Sequence, residues 1–138
     1  MSSVSPVDLS IEFVERLNRR DFDGLARIMT PDFRLRPGGE EIIDGPDESR
    51  EALVGYTKAW PEFQIHISDV HLVDDSVVMV GRTTGSCEKA PRGEEIRERR
   101  LYVAKIDSGL VSEFRHIAED TDAARKALGV SPQTRITE

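Results

Sequence analysis

A chain of 138 residues, 38% hydrophobic and 33% charged, has the length of one domain with its own core and the composition of a water-exposed globular protein. Its formal charge of −7 sets the long-range field against phosphate backbones and anionic membranes, and no run approaches the roughly 20 apolar residues of a membrane span. The single cysteine, Cys87, excludes an intrachain disulfide and suits a reducing cytoplasm, and Met1–Pro6 lacks the basic and apolar segments of a secretion signal.

In chain order, Ser5-Pro6-Val7-Asp8 reads as a helix start, with Ser5 as cap, Pro6 at the first position and Asp8 opposing the dipole. Val7, Ile11, Val14 and Leu17 recur at helical spacing to about Arg20, with Phe13 beside them. Asp21 caps a second, shorter helix bearing Phe22, Leu25, Ile28 and Met29, which Thr30-Pro31 stops. Phe33–Arg36 alternates like a short strand and breaks at Pro37-Gly38-Gly39. Gly45-Pro46-Asp47 opens a third helix with Ala52, Leu53, Tyr56, Ala59 and Trp60 on its apolar face, ended by Pro61.

From Phe63 the period changes from helical to twofold. Strands are predicted over Gln64–Val73, Val77–Cys87, Glu95–Ile106 and Leu110–Ala118, joined by turns at Asp74-Asp75-Ser76 and Asp107-Ser108-Gly109 and by a polar loop over Glu88–Gly93. A short helix, Asp122–Leu128, closes at Gly129, and residues 1–4 and 133–138 read as mobile ends. Helices in one half and hairpin-linked strands in the other predict a single α+β domain over 1–138, with a twisted sheet whose concave side holds a pocket closed by helices. Arg97, Arg99 and Arg100 are interleaved with Glu94, Glu95 and Glu98, which reads as a solvated strand with ion pairs and not as a nucleic-acid surface.

Four stretches in this order resemble the SnoaL-like polyketide-cyclase branch of the nuclear-transport-factor-2-like superfamily. They are Phe13–Asn18 with Asp21–Leu25 and Met29–Phe33; Gly45 through Trp60-Pro61-Glu62-Phe63; Asp107–Phe114; and Leu128-Gly129-Val130-Ser131-Pro132. The resemblance implies a cone-shaped, strongly curved, mostly antiparallel sheet with three helices on its concave face. It also implies a homodimer through the convex face, where Met79, Leu101 and Val103 would otherwise be exposed apolar surface. Enzymes of this kind work without a cofactor, through a carboxylate in an apolar cone that moves a proton.

This chain departs from several relatives of that branch. Phe13 stands where ketosteroid isomerases carry a tyrosine, and Arg36 before Pro37 replaces their general-base aspartate. Arg82-Thr83-Thr84 keeps the arginine of the Arg-x-Asp pair in limonene-epoxide hydrolases and loses the acid. Phe114–Glu119 resembles their Trp-Arg-Asp-Tyr-Phe-Asp motif with His116 in the place of the catalytic aspartate. Counting back from Leu128-Gly129 instead makes Asp120 the matching group, so both His116 and Asp120 are candidates.

Strand alternation places Phe114, His116 and Ala118 on one face of the last strand, with Glu113 and Arg115 on the other. Val78, Val80, Arg82 and Thr84 share a face of their strand, as do Arg100, Tyr102 and Ala104 of theirs. The expected site is therefore His116 or Asp120 moving a proton, Arg82 holding a carboxylate or enolate oxygen, Tyr102 and Phe114 nearby, and Tyr56, Trp60 and Phe13 as apolar walls. Its ligand is a small, mostly apolar organic molecule. Against this stand plainer roles: His116 as a satisfied histidine, Arg82 as an ion-pair partner, Asp120 as a helix cap, and the whole domain as a non-catalytic binding or association module. No cofactor or metal is expected, because His66 and His71 are predicted to face opposite ways and no glycine-rich phosphate loop or Cys-x-x-Cys is present. Cys87, with no neighbouring base, reads as an inert thiol.

Overall fold

The computed structural model describes residues 5–85, 99–117 and 120–130. The expected mobile ends, Cys87 and the polar loop over 88–93 lie outside those residues. Helix α1, Pro6–Asn18, begins where Ser5 Oγ accepts the Asp8 amide at 3.1 Å, and α2, Phe22–Arg27, where Asp21 Oδ1 accepts the Gly24 amide at 3.0 Å. Both caps satisfy amides that the first turn leaves without helical partners. Arg20, between the helices, takes a φ of 63°. Its guanidinium donates to the carbonyls of Leu17, Asn18, Pro61 and Phe63, which ties the corner to the far end of the third helix.

Strand β1, Met29–Arg36, starts earlier than alternation suggests and runs through Pro31. The register between β1 and the last strand, Leu110–Ile117, shifts between Met29 and Arg34, so a residue without an N–H is tolerated there. A two-residue strand β2, Ile43–Asp44, precedes α3, Pro46–Ala59. Then follow β3, Gln64–Val73; β4, Ser76–Thr84; β5, Arg100–Asp107; β6, Leu110–Ile117; and α4, Asp122–Ala127.

One sheet has the order β2-β1-β6-β5-β4-β3. Its pairs are antiparallel except β1 with β6, which run parallel, so the sheet is mixed. It is open and not strongly curled, which corrects the expected cone. Local bends sit at the register shifts between Ile67 and Asp69 and between Lys105 and Ile106, since a bulge bends its strand and reverses the faces beyond it. The first of these puts His66 opposite Arg82 and His71 opposite Val78, on one face and not two.

Helices α1–α3 cover one sheet face over a core that includes Phe13, Leu17, Leu25, Phe33, Met79, Tyr102 and Phe114. On the other face, Val78, Val80, Leu101 and Val103 pack with Val130 beneath Ala124 and Leu128 of the α4 segment. The helices therefore do not protect one side alone. Met79 and Leu101 are 0% exposed and Val103 3% within a single chain, so the apolar surface on which the dimer expectation rested is already covered. No helix among the described residues is long and apolar enough to cross a membrane.

Candidate functional site

A cavity of about 360 Å³ opens between the sheet and helices α1 and α3, within the size range of small-molecule sites. Leu17, Leu53, Tyr56, Phe63 and Ile65 form much of its apolar wall, and Thr83, Arg100, Tyr102, Phe114 and His116 come from the sheet. Pro37, Glu41 and Ile43, from the segment after β1, complete the rim. Pairing explains why these residues meet. Met79 stands opposite Tyr102, and Tyr102 opposite His116, so the three strands present these side chains to one face.

Aromatic rings carry that row into the core. Phe33 stacks on Phe13 at 5.8 Å between centroids, Phe13 on Phe114 at 4.6 Å, Phe114 on Tyr102 at 5.7 Å, and Tyr102 meets His116 at 5.3 Å. Such stacking holds the rings in place and so fixes the imidazole's neighbour. The His116 Nδ1 atom lies 2.8 Å from the Pro37 carbonyl oxygen. A carbonyl only accepts, so Nδ1 carries the proton, and in the neutral ring Nε2 bears the lone pair. His116 is thereby a histidine of defined tautomer at a cavity wall.

The structure brings His116, Tyr102, Phe114 and Tyr56 together at this cavity and leaves the other expected residues away from its wall. Phe13 is fully buried behind Phe114. Trp60 ends α3 with 40% of its surface exposed. Arg82 stands opposite His66, on the sheet face of Val78 and Val80, which corrects the expected convergence with His116. Both alternating sets on β4, Val77 with Met79 and Val78 with Val80, are apolar, because both faces of the sheet are covered. Alternation within the strand therefore cannot say which set faces the helices; the pairing of Met79 with Tyr102 does.

Asp120 is not a cap. Thr121 Oγ1 accepts the Ala124 amide and caps α4, while the Asp120 carboxylate accepts from Arg125 Nε at 2.6 Å and Nη2 at 2.7 Å. The Arg125 hydrogen bonds hold its carboxyl below the usual carboxylate range against the opposing effect of burial, with the charges of Arg125, Arg99 and His71 adding to the shift. A carboxylate tied in this way, outside the cavity lining, is poorly placed to exchange protons with a bound molecule.

Arg100, Thr83 and Glu41 line the cavity and were not expected there, although the shared parity of Arg100 and Tyr102 was visible in the sequence. A second, more open hollow of about 450 Å³ lies between Pro31, Arg34, Asp44, Lys105 and Glu113. Its lining is charged and shallow, and it lacks the convergent apolar wall of the first. Among the described residues no group of His, Cys, Asp and Glu is placed to hold a metal ion.

A SnoaL-like domain model matches residues 11–123. No curated protein matches the chain. Among solved structures, a nuclear-transport-factor-2-like protein from Cytophaga hutchinsonii has a TM-score of 0.68 at 11% identity, covering 93% of this chain and 97% of its own. A candidate polyketide cyclase from Sinorhizobium meliloti gives 0.67 at 15% identity, with coverages of 82% and 99%. A candidate SnoaL-like polyketide cyclase from Jannaschia gives 0.60 at 20%, with coverages of 97% and 100%. At these identities the likeness is one of fold. The match over residues 11–123, together with helices α1–α3 laid on a six-stranded mixed sheet, places the chain in the SnoaL-like domain family.

Proposed function

We propose that the cavity binds a small, mostly apolar organic molecule and that His116 moves a proton within it without a cofactor. The observation that carries this reading is the hydrogen bond from His116 Nδ1 to the Pro37 carbonyl at the cavity wall. It orients the ring and makes Nε2 the atom that accepts a proton. In the reaction class this supports, a C–H bond beside a carbonyl breaks. Its electron pair passes into an enolate and its proton to Nε2. The enolate then attacks a second carbonyl or is reprotonated at another carbon, and the imidazolium returns the proton. The apolar walls keep bulk water from quenching the enolate.

The test is exchange of the α-protons of small ketones and esters in deuterated water, followed by proton NMR, beside binding of a neutral apolar fluorophore. The expected result is exchange faster than in buffer, slowed by about 10²–10⁴-fold in His116→Gln with fluorophore binding retained. Binding without exchange in the native chain would leave a ligand-binding module. Exchange untouched in His116→Gln would remove His116 from the reaction.

A further inference from the structure

We propose that the molecule bound in this cavity carries an acidic group, a carboxylate or an equivalent delocalised oxyanion, and that Arg100 holds it. This rests on the reading of the cavity as a small-molecule site. Arg100 opens β5, lines the cavity, and is only 3% exposed. It stands opposite Gly81 of β4, where the partner strand contributes no side chain to that face. A Cβ at Gly81 would lie 3.0 Å from the His66 carbonyl oxygen and 3.1 Å from the Tyr102 ring, tighter than ordinary contact. Thr83, next on the same face of β4, adds a hydroxyl to the lining.

Arg36 also lines the cavity, with its Nη1 3.8 Å from Glu113 Oε2, and among the described residues the lining carboxylate, Glu41, is exposed at the rim. A guanidinium presents five N–H donors in a planar fork, so it can grip a carboxylate with two parallel bonds while keeping another contact. In a buried apolar wall that attraction is much less weakened than it would be in water.

The placement also fits the proton transfer proposed for His116. Arg100 and Tyr102 lie two residues apart on one face of β5, and Tyr102 pairs with His116. Strand spacing then puts the anchor and the imidazole on the order of 8 Å apart. One ring bearing an acid at one end and an activated carbon at the other spans that distance.

The experiment is isothermal titration of the full chain at neutral pH with 2-naphthoate and with its neutral isostere, 2-naphthamide. The native protein is expected to bind naphthoate about tenfold tighter than naphthamide. Arg100→Met is expected to abolish that preference, Arg100→Lys to reduce it several-fold, and Arg82→Ala, on the opposite sheet face, to leave it intact. Equal affinities in the native chain would overturn the acidic-ligand inference and leave the cavity reading standing. A preference undiminished in Arg100→Lys would overturn the role of Arg100, a measurement that decides the matter even if Arg100→Met does not fold. Failure of both probes to bind would overturn the cavity reading itself.

Discussion

Asp120 and Arg125 meet through two charge-assisted hydrogen bonds with side chains only 5% and 11% exposed. Such a pair is costly to break from one side, because the remaining charge stays buried. Asp120→Asn is therefore expected to lower the free energy of unfolding by about 3 kcal/mol, measured by urea denaturation at neutral pH. The pH dependence has a definite sign. The folded-state pKa of Asp120 is depressed, so its contribution is fully present above the carboxyl's unfolded-state value. That contribution is lost as pH falls through the lower folded-state value. The difference between native protein and variant should shrink on acidification through that window, and a difference independent of pH would show that the carboxylate's charge is not the source. None of this was visible in the sequence, where a spacing of five residues between an acid and a base marks no particular contact. What was visible was Ser5 and Asp21, because capping depends only on the residues that follow within one turn.

At the scale of elements, Asn18 at the end of α1 holds the backbone of β3. Asn18 Nδ2 donates to the Ile65 carbonyl at 2.8 Å, and Asn18 Oδ1 accepts the Ile65 amide at 2.9 Å. An amide side chain thus supplies both the donor and the acceptor that an edge strand would otherwise offer to solvent or to another chain. Asn18→Ala should cost about 2 kcal/mol in unfolding free energy and speed hydrogen exchange at the Ile65 amide; unaltered exchange there would contradict the role. The aromatic row makes a second case. Phe13 is fully buried between Phe33 and Phe114, and Phe13→Ala should destabilise by about 3–5 kcal/mol. Because Phe114 positions Tyr102 beside His116, the same variant should also weaken ligand binding in the cavity, although Phe13 does not line it. Element positions were legible wherever local signals agreed. Strand β3 runs over Gln64–Val73 as its alternation predicts, whereas β2, with two residues, carries no period to read.

For the whole molecule, the second core decides how the sheet meets water. Val78, Val80, Leu101 and Val103 are sealed by Val130 and the α4 segment, which lies on the opposite face from α1–α3. Val130→Asp would place a carboxylate in that apolar layer and should release the segment. The expected readouts are a lower unfolding midpoint, binding of a hydrophobic dye, and self-association in sedimentation velocity. Sedimentation and dye binding like those of the native chain would show that the seal is unnecessary.

The sequence by itself determined the class of the fold, the helix caps at Ser5 and Asp21, the long hairpin of β3 and β4, and the family, because each depends on local chemistry or on the order of short motifs. Tertiary structure alone decided that β1 lies parallel to β6, that α4 takes the far face, and that Arg100 lines the cavity while Arg82 does not. The physical reason is the same in each instance. A strand covered on both sides is apolar at every position, so its own alternation cannot distinguish the faces. Only the register with its neighbours, and the bulges that shift it, determine which side chains share a cavity.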